Sequence, residues 1–173
     1  PEPLEFAAIA NAHDFGTYWT LWLVSQVAVL PPGARPSSGV LDHDRANHAI
    51  ADFKQELIAR NEATQLFGNP RGAALEGILA SIEQTMFGES LYRSREEKAA
   101  HLLYLIIKDH PFSDGNKRIG SFLFMLYLQQ EGMAHQLNPQ ALTALALLIA
   151  ESAPASKDLM IRLIINLLTE RRA

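Results

Sequence analysis

The feature that most constrains the fold is a helical spacing of apolar residues that recurs along most of the chain. Apolar side chains return every three or four positions, which places them on one face of an α-helix. This pattern occupies residues 42–63, 73–87, 94–110, 118–132, 138–152 and 156–172. The alternation typical of strands is scarce, so the sequence predicts an all-α bundle of about six or seven helices, with one small β-hairpin near residues 85–94.

Three helix ends carry recognisable signals. Ser94 is followed three positions later by Glu97, the spacing of a capping box. Asn138 precedes Pro139, which predicts an N-cap and a first helical residue. Gly132 follows the apolar run of residues 118–131 and predicts the end of that helix.

Composition limits the possible functions. The 173 residues are 48% hydrophobic and 20% charged, with a net charge of −4, which fits one globular domain and argues against a general binder of nucleic acids or anionic membranes. Cysteine is absent, so disulfides and thiolate chemistry are excluded and a reducing, cytoplasmic location is favoured.

The first 45 residues are predicted to be an N-terminal helical extension of unassigned role. Residues 17–30 form an apolar run of 14 residues, shorter than the roughly 20 that span a bilayer. They indicate a buried helix or an interface, and the proline-rich and glycine-rich residues 31–39 predict a loop.

The loop within residues 108–122, KDHPFSDGNKRIGSF, concentrates polar chemistry between two apolar helices. Gly115 and Asn116 are predicted to open the second helix, whose free N–H groups favour an anion such as phosphate. Gly115 allows close approach, Asn116 adds a donor, and Lys117 and Arg118 add positive charge.

Two further residues of this loop suggest phosphoryl or nucleotidyl transfer. Asp114 would repel a phosphate unless a cation such as Mg²⁺ lies between them. His110 is an imidazole, the type of side chain that can take a proton from a hydroxyl near neutral pH. Phe112 is predicted to be structural, burying its ring between the helices.

Spacing alone fits a solvated capping loop equally well. In that interpretation His110 is a cation at a helix C-terminus and Asp114 is an N-cap. Lys117 and Arg118 are then ordinary exposed charges.

The nine residues HPFSDGNKR, 110–118, resemble the signature of the Fic/Doc (Fido) family. That signature has histidine, phenylalanine, an acidic residue, a small residue, asparagine and arginine at these positions. The similarity extends more loosely over residues 70–168 and is greatest to Fic domains of RhuM-like virulence-associated bacterial proteins. It implies a catalytic domain over residues 46–173, with a Fic-type helical bundle and a hairpin flap.

The resemblance implies a transferase that uses ATP and Mg²⁺ to place a phosphate-containing group on a protein hydroxyl. By position, His110 would be the general base, Asp114 the magnesium ligand and Arg118 the clamp on the distal phosphates. The residues that it implies at the nucleotide are Ser113, Gly115, Asn116, Lys117 and Arg118.

The flap implied by the resemblance would hold the target protein by main-chain pairing. It comprises Phe87, Gly88, Glu89, Leu91 and Tyr92, within residues 85–94. We expect the side chains of Phe87, Leu91 and Tyr92 to pack rather than to select a target sequence.

Lys117 departs from the AMP-transferring members, which usually have glycine there, and is similar to the Doc branch, which resembles a kinase. We therefore favour phosphoryl transfer slightly over AMP transfer. A non-catalytic nucleotide-binding interaction module is the alternative outside enzymes.

Partners and regulation follow from the same resemblance. The target would present a Ser, Thr or Tyr hydroxyl, and nucleic acid and membrane are not expected partners. The family's inhibitory sequence is incomplete in the nearest strings, from Ser38 and Thr85. We therefore expect inhibition by a separate antitoxin-like protein or an upstream segment, in a cytoplasmic toxin or an effector secreted into a host.

Other histidines suggest less. His43 and His48 lie five positions apart near two aspartates, which misses the i, i+4 spacing of a metal pair. His101 lies on an apolar helix and is predicted to be a core histidine.

Overall fold

In the computed structural model, the described part of the chain comprises residues 41–133 and 137–169. It contains six α-helices: α1 His43–Ala59, α2 Ala74–Ile82, α3 Arg95–Asp109, α4 Asn116–Gln130, α5 Pro139–Glu151 and α6 Lys157–Leu168. A short 3₁₀ turn, Pro154–Ser156, precedes α6. Between α2 and α3, strands β1 Thr85–Met86 and β2 Glu89–Ser90 pair antiparallel. The predicted all-α fold with one small hairpin is confirmed.

Helix α3 lies at the centre of the bundle and packs against α2, α4, α5 and α6. Residues on several of its faces are buried, among them Ala99, Leu103 and Ile106, because an all-round apolar helix is stable only inside a core. Helix α4 approaches α3 closely at Gly120, where a Cβ atom would lie 3.2 Å from the Ile106 Cγ2. These two helices fix the ends of the loop that joins them.

The predicted helix ends are confirmed. The Ser94 hydroxyl accepts a hydrogen bond from the Glu97 N–H at 3.0 Å and donates to the Glu97 carboxylate at 3.1 Å. At α5, the Asn138 side chain accepts from the third residue of the helix, with Pro139 in the first position. Gly132 takes a φ of 71° directly after the C-cap of α4, a left-handed conformation that favours glycine.

Helix α2 is shorter than its apolar pattern predicts. Met86 fits the helical stripe of residues 73–87, but α2 ends at Ile82 and Met86 lies on β1 with 55% of its surface exposed. At this turn Glu83, the C-cap of α2, forms an ion pair of 2.7 Å with Lys98 on α3.

The apolar run of residues 17–30 and most of the predicted N-terminal extension lie outside the described residues. Among the residues that are described, no helix has the length and apolar character needed to cross a membrane.

Candidate active site

The polar loop joins α3 to α4 with two left-handed residues. His110 is the C-cap of α3, with φ 50° and ψ 61°, and Gly115 is the N-cap of α4, with φ 86°. A left-handed conformation is uncommon for histidine, and such outliers occur often at functional sites. The prediction that Asn116 opens the second helix is confirmed.

Residues 67–71 hold the loop from outside by backbone pairing. They form two isolated bridges with it, Phe67 to Asp114 and Pro70 to Phe112. Three backbone hydrogen bonds accompany the bridges: Gly68 N–H to Asp114 O at 3.1 Å, Ser113 N–H to Asn69 O at 2.9 Å and Arg71 N–H to Pro111 O at 2.8 Å. The backbone of the loop is therefore paired along one side with residues 67–71.

Helix α1 supports this pairing through one lysine. The Lys54 ammonium donates to the Gln65 carbonyl at 2.6 Å and to the Asn69 side chain at 2.8 Å. The sequence predicts no role for residues 67–72, because no local pattern indicates that they pair with a loop some 40 residues later.

The Asn116 side chain is occupied within the loop. Its amide oxygen accepts the Phe112 N–H at 2.9 Å, and its amide nitrogen donates to the Phe112 carbonyl at 2.9 Å. Phe112 itself is buried. Asn116 therefore stabilises the turn, and the group it leaves for a ligand is its backbone N–H.

Gly115 is required by its surroundings as well as by its φ. A Cβ atom at this position would lie 2.3 Å from a ring carbon of Phe67, far inside contact distance. Any other residue would displace the buried Phe67 ring or the start of α4.

The start of α4 provides donors for an anion. Its first intrahelical hydrogen bond runs from the Ile119 N–H to the Gly115 carbonyl at 2.8 Å. The N–H groups of Asn116, Lys117 and Arg118 therefore have no carbonyl partner within the helix and carry the positive end of its dipole.

A pocket of about 360 Å³ opens at this helix terminus. It is lined by the predicted catalytic and nucleotide-binding residues: His110, Ser113, Asp114, Gly115, Asn116, Lys117 and Arg118. Phe112 and the residues of the flap do not line it. Helix α5 lines the same pocket through Thr143, Ala146, Leu147 and Ala150, which we call the α5 wall. Sequence reasoning missed this wall, because its residues match an ordinary core helix.

Arg118 is held by two contacts from the segment that joins α1 to α2. One guanidinium nitrogen donates to the Glu62 carbonyl at 2.8 Å, and the guanidinium carbon lies 4.7 Å from the centroid of the Phe67 ring. Arginine has five N–H donors, so these contacts orient the group and leave donors for a ligand.

The other ionisable side chains of the loop are accessible. His110, Asp114 and Lys117 are all exposed at the pocket. Their arrangement places an imidazole, a carboxylate and an ammonium around one anion-binding helix terminus.

The hairpin turns through two residues with positive φ, Phe87 at 53° and Gly88 at 80°, as in the tight turns that match strand twist. Phe87 is fully exposed and Leu91 is 38% exposed. The expectation that Phe87 packs is therefore wrong, because the turn directs its side chain into solvent. Glu89 is also exposed and pairs with Arg93.

Tyr92 packs at the base of the hairpin, as expected. Its ring stacks on the His101 imidazole with 3.7 Å between centroids and 20° between planes. His101 is buried, as predicted, and its Nδ1 lies 2.8 Å from the Glu97 carbonyl. Burial lowers the pKa of His101, against smaller opposing effects of that hydrogen bond and the Glu97 charge.

Residues 41–133 and 137–169 contain no group of three or more histidine, aspartate or glutamate side chains that could hold a metal. His43 instead contacts Asn47 at 3.1 Å. Asp114 contributes the carboxylate of the pocket, so a cation there would need further oxygen ligands from its own substrate or from water.

Comparison with known families gives one match. The model of the Fic/DOC family matches residues 43–128, from α1 through most of α4. The match includes the whole loop of residues 110–118 and supports the Fic/Doc (Fido) family. Neither the curated proteins nor the solved structures contain a match to this chain.

Proposed function

We propose that this chain is a transferase that modifies a protein hydroxyl with a phosphate-containing group from ATP. The match of residues 43–128 to the Fic/DOC family supports this proposal. The observation that carries the proposal is the shared pocket. His110, Asp114, Arg118 and the free N–H groups of α4 all face one space of about 360 Å³.

In the proposed reaction, the His110 imidazole takes the proton of a Ser, Thr or Tyr hydroxyl, and the hydroxyl oxygen attacks a phosphorus atom of ATP. Attack at the γ-phosphorus forms a phosphate ester and releases ADP. Attack at the α-phosphorus forms an AMP ester and releases pyrophosphate. The α4 N–H groups and Arg118 stabilise the negative charge of the transferred group.

Asp114 is suited to a magnesium ion bound together with the nucleotide. Its carboxylate is exposed at the pocket, and Mg²⁺ typically binds one or two carboxylates together with substrate phosphates and water. When bound, Mg²⁺ would neutralise phosphate charge. Asp114 would hold it beside the helix terminus.

We favour phosphoryl transfer because of Lys117. Its exposed side chain lies in the first turn of α4 and lines the pocket, where it adds bulk and positive charge that a glycine would not. That bulk disfavours the nucleotide orientation of AMP-transferring members of the family. AMP transfer is the alternative if the pocket residues of α5, rather than Lys117, determine the orientation of the nucleotide.

The hairpin would bind the target protein by main-chain pairing. Its strands are only two residues long and mostly exposed, so an outer edge would be open to another extended segment. A separate inhibitory protein remains part of the proposal.

The test is incubation of the protein with Mg²⁺ and ATP labelled on either the α- or the γ-phosphate, in bacterial lysate, followed by mass spectrometry. Transfer of the γ-label, abolished in His110→Ala, would support the favoured reaction, and transfer of the α-label would establish AMP transfer. ATP binding without any adduct would instead support a nucleotide-binding interaction module. Absence of ATP binding would contradict both functions.

A further inference from the structure

We propose that Phe67, which lies outside the polar loop, is a positioning residue that sets the affinity for the distal phosphates of ATP. It acts by fixing the Arg118 guanidinium and the first turn of α4. This inference rests on the proposed function, since it assumes that ATP occupies the pocket.

The first observation is the contact with Arg118. The guanidinium carbon lies 4.7 Å from the Phe67 ring centroid, and stacking of this kind restrains the plane of an arginine side chain. The Glu62 carbonyl accepts from the same group at 2.8 Å. The ring and the carbonyl together leave the guanidinium little freedom, so less side-chain entropy is lost when phosphate binds.

The second observation is that the same ring touches the helix terminus. A Cβ atom at Gly115 would lie 2.3 Å and 2.4 Å from two carbons of the Phe67 ring. The ring therefore defines how closely the backbone at the N-cap of α4 approaches residues 67–71.

The third observation is that Phe67 itself is firmly placed. It is fully buried, its ring meets the Phe53 ring edge-to-face at 5.6 Å, and its backbone bridges to Asp114. One buried side chain is thus connected to the backbone of Asp114, to the N-cap glycine and to Arg118.

The test uses Phe67→Leu, with dissociation constants for ATP and for AMP measured by calorimetry in the presence of Mg²⁺. AMP lacks the distal phosphates, so it reports the rest of the pocket. We expect the constant for ATP to rise about 2- to 30-fold and the constant for AMP to change much less. Phe124→Leu, which truncates another fully buried ring on α4, is the matched control and should leave the ATP-to-AMP ratio unchanged.

A double-mutant cycle distinguishes positioning from simple loss of core packing. Arg118→Lys keeps the charge but removes the planar group. In the Arg118→Lys background, Phe67→Leu should therefore weaken ATP binding far less than it does in the unchanged protein. If Phe67→Leu does not fold, Phe67→Met, whose unbranched side chain adapts to the same space without a ring face, is measured in the same way.

Equal weakening of ATP and AMP binding, or additive effects in the cycle, would overturn the role of Phe67 and leave the proposed function intact. Failure of the unchanged protein to bind ATP would overturn the proposed function, and this inference with it.

Discussion

The Asn116 side chain forms two hydrogen bonds with a single residue, Phe112, one to its N–H and one to its carbonyl. The amide thus closes the turn between His110 and the first turn of α4. An ionised carboxylate could not form this pair of hydrogen bonds, because it cannot donate to the carbonyl.

Asn116→Ala should lower the free energy of unfolding by about 2 kcal/mol, because two backbone groups beside a buried ring lose their partners. Urea denaturation measures the change. The control is Asn47→Ala on α1, whose side chain contacts His43 at an exposed position and should change stability by less than about 0.5 kcal/mol. Equal effects of the two substitutions would contradict the role of Asn116 in closing the turn.

Gly115→Ala should destabilise the protein by about 3 kcal/mol or more, because a positive φ and a clash with Phe67 act together. Gly72→Ala separates these causes. Gly72 has φ +58°, but a Cβ atom added there would meet no atom within 4 Å, so we expect a cost of about 1 kcal/mol from the backbone alone. Thermal unfolding of the two variants gives the comparison, and similar shifts would show that Phe67 yields easily.

On the proposed mechanism, His110→Ala should lower turnover by roughly 10²–10⁴-fold, because it removes the general base of that mechanism. The fold should persist, since His110 is exposed, and circular dichroism checks this. His48→Ala, at an exposed position on α1, should leave turnover unchanged. Full activity of His110→Ala would assign the base to another residue.

Lys117→Gly should shift the transferred group from phosphate toward AMP, because the side chain no longer occupies the pocket. Lys117→Met removes the charge but keeps the bulk, so it shows which property matters. The ratio of α-label to γ-label in the product is the measurement. An unchanged ratio in both variants would indicate that the α5 wall determines how the nucleotide lies.

Stability should fall as the solution is acidified below about pH 6.5, the ordinary pKa of histidine. Burial lowers the pKa of His101 in the folded protein, so the unfolded chain binds more protons in the window between the lowered and the ordinary value. The His101 ring stacks on Tyr92, and its pKa also responds to the charges of Glu97, Lys157 and Asp158.

His101→Asn provides the control for this pH dependence, because the amide cannot titrate. The difference between the parent and the variant in free energy of unfolding, measured from pH 8 to pH 5 by urea denaturation, isolates His101. Parallel profiles would contradict a titrating contribution from this residue.

The sequence predicted the features that depend on neighbouring residues. The capping pair of Ser94 and Glu97, the start of α4 at Asn116 and the small hairpin all follow from local spacing, and all are confirmed. The grouping of the loop residues around one helix terminus also followed, because they lie within nine positions of one another.

Features that depend on distant pairing were not predictable. Phe67 supports Arg118 and Gly115 across some 50 residues of chain, and no periodicity encodes that contact. The exposure of Phe87 was missed for a related reason, since an apolar residue in a turn is directed by φ rather than by its hydrophobicity.

Helix α3 has a consequence for how the chain tolerates changes in length. It carries Lys98, which pairs with Glu83 just before the hairpin, and His101, which stacks on Tyr92 just after it, and the helix ends next to His110. One residue inserted between His101 and His110 would rotate the second histidine by about 100° and move it by about 1.5 Å relative to the hairpin. A substitution along this stretch keeps that spacing, whereas any single insertion or deletion would change how the hairpin and His110 are placed relative to each other.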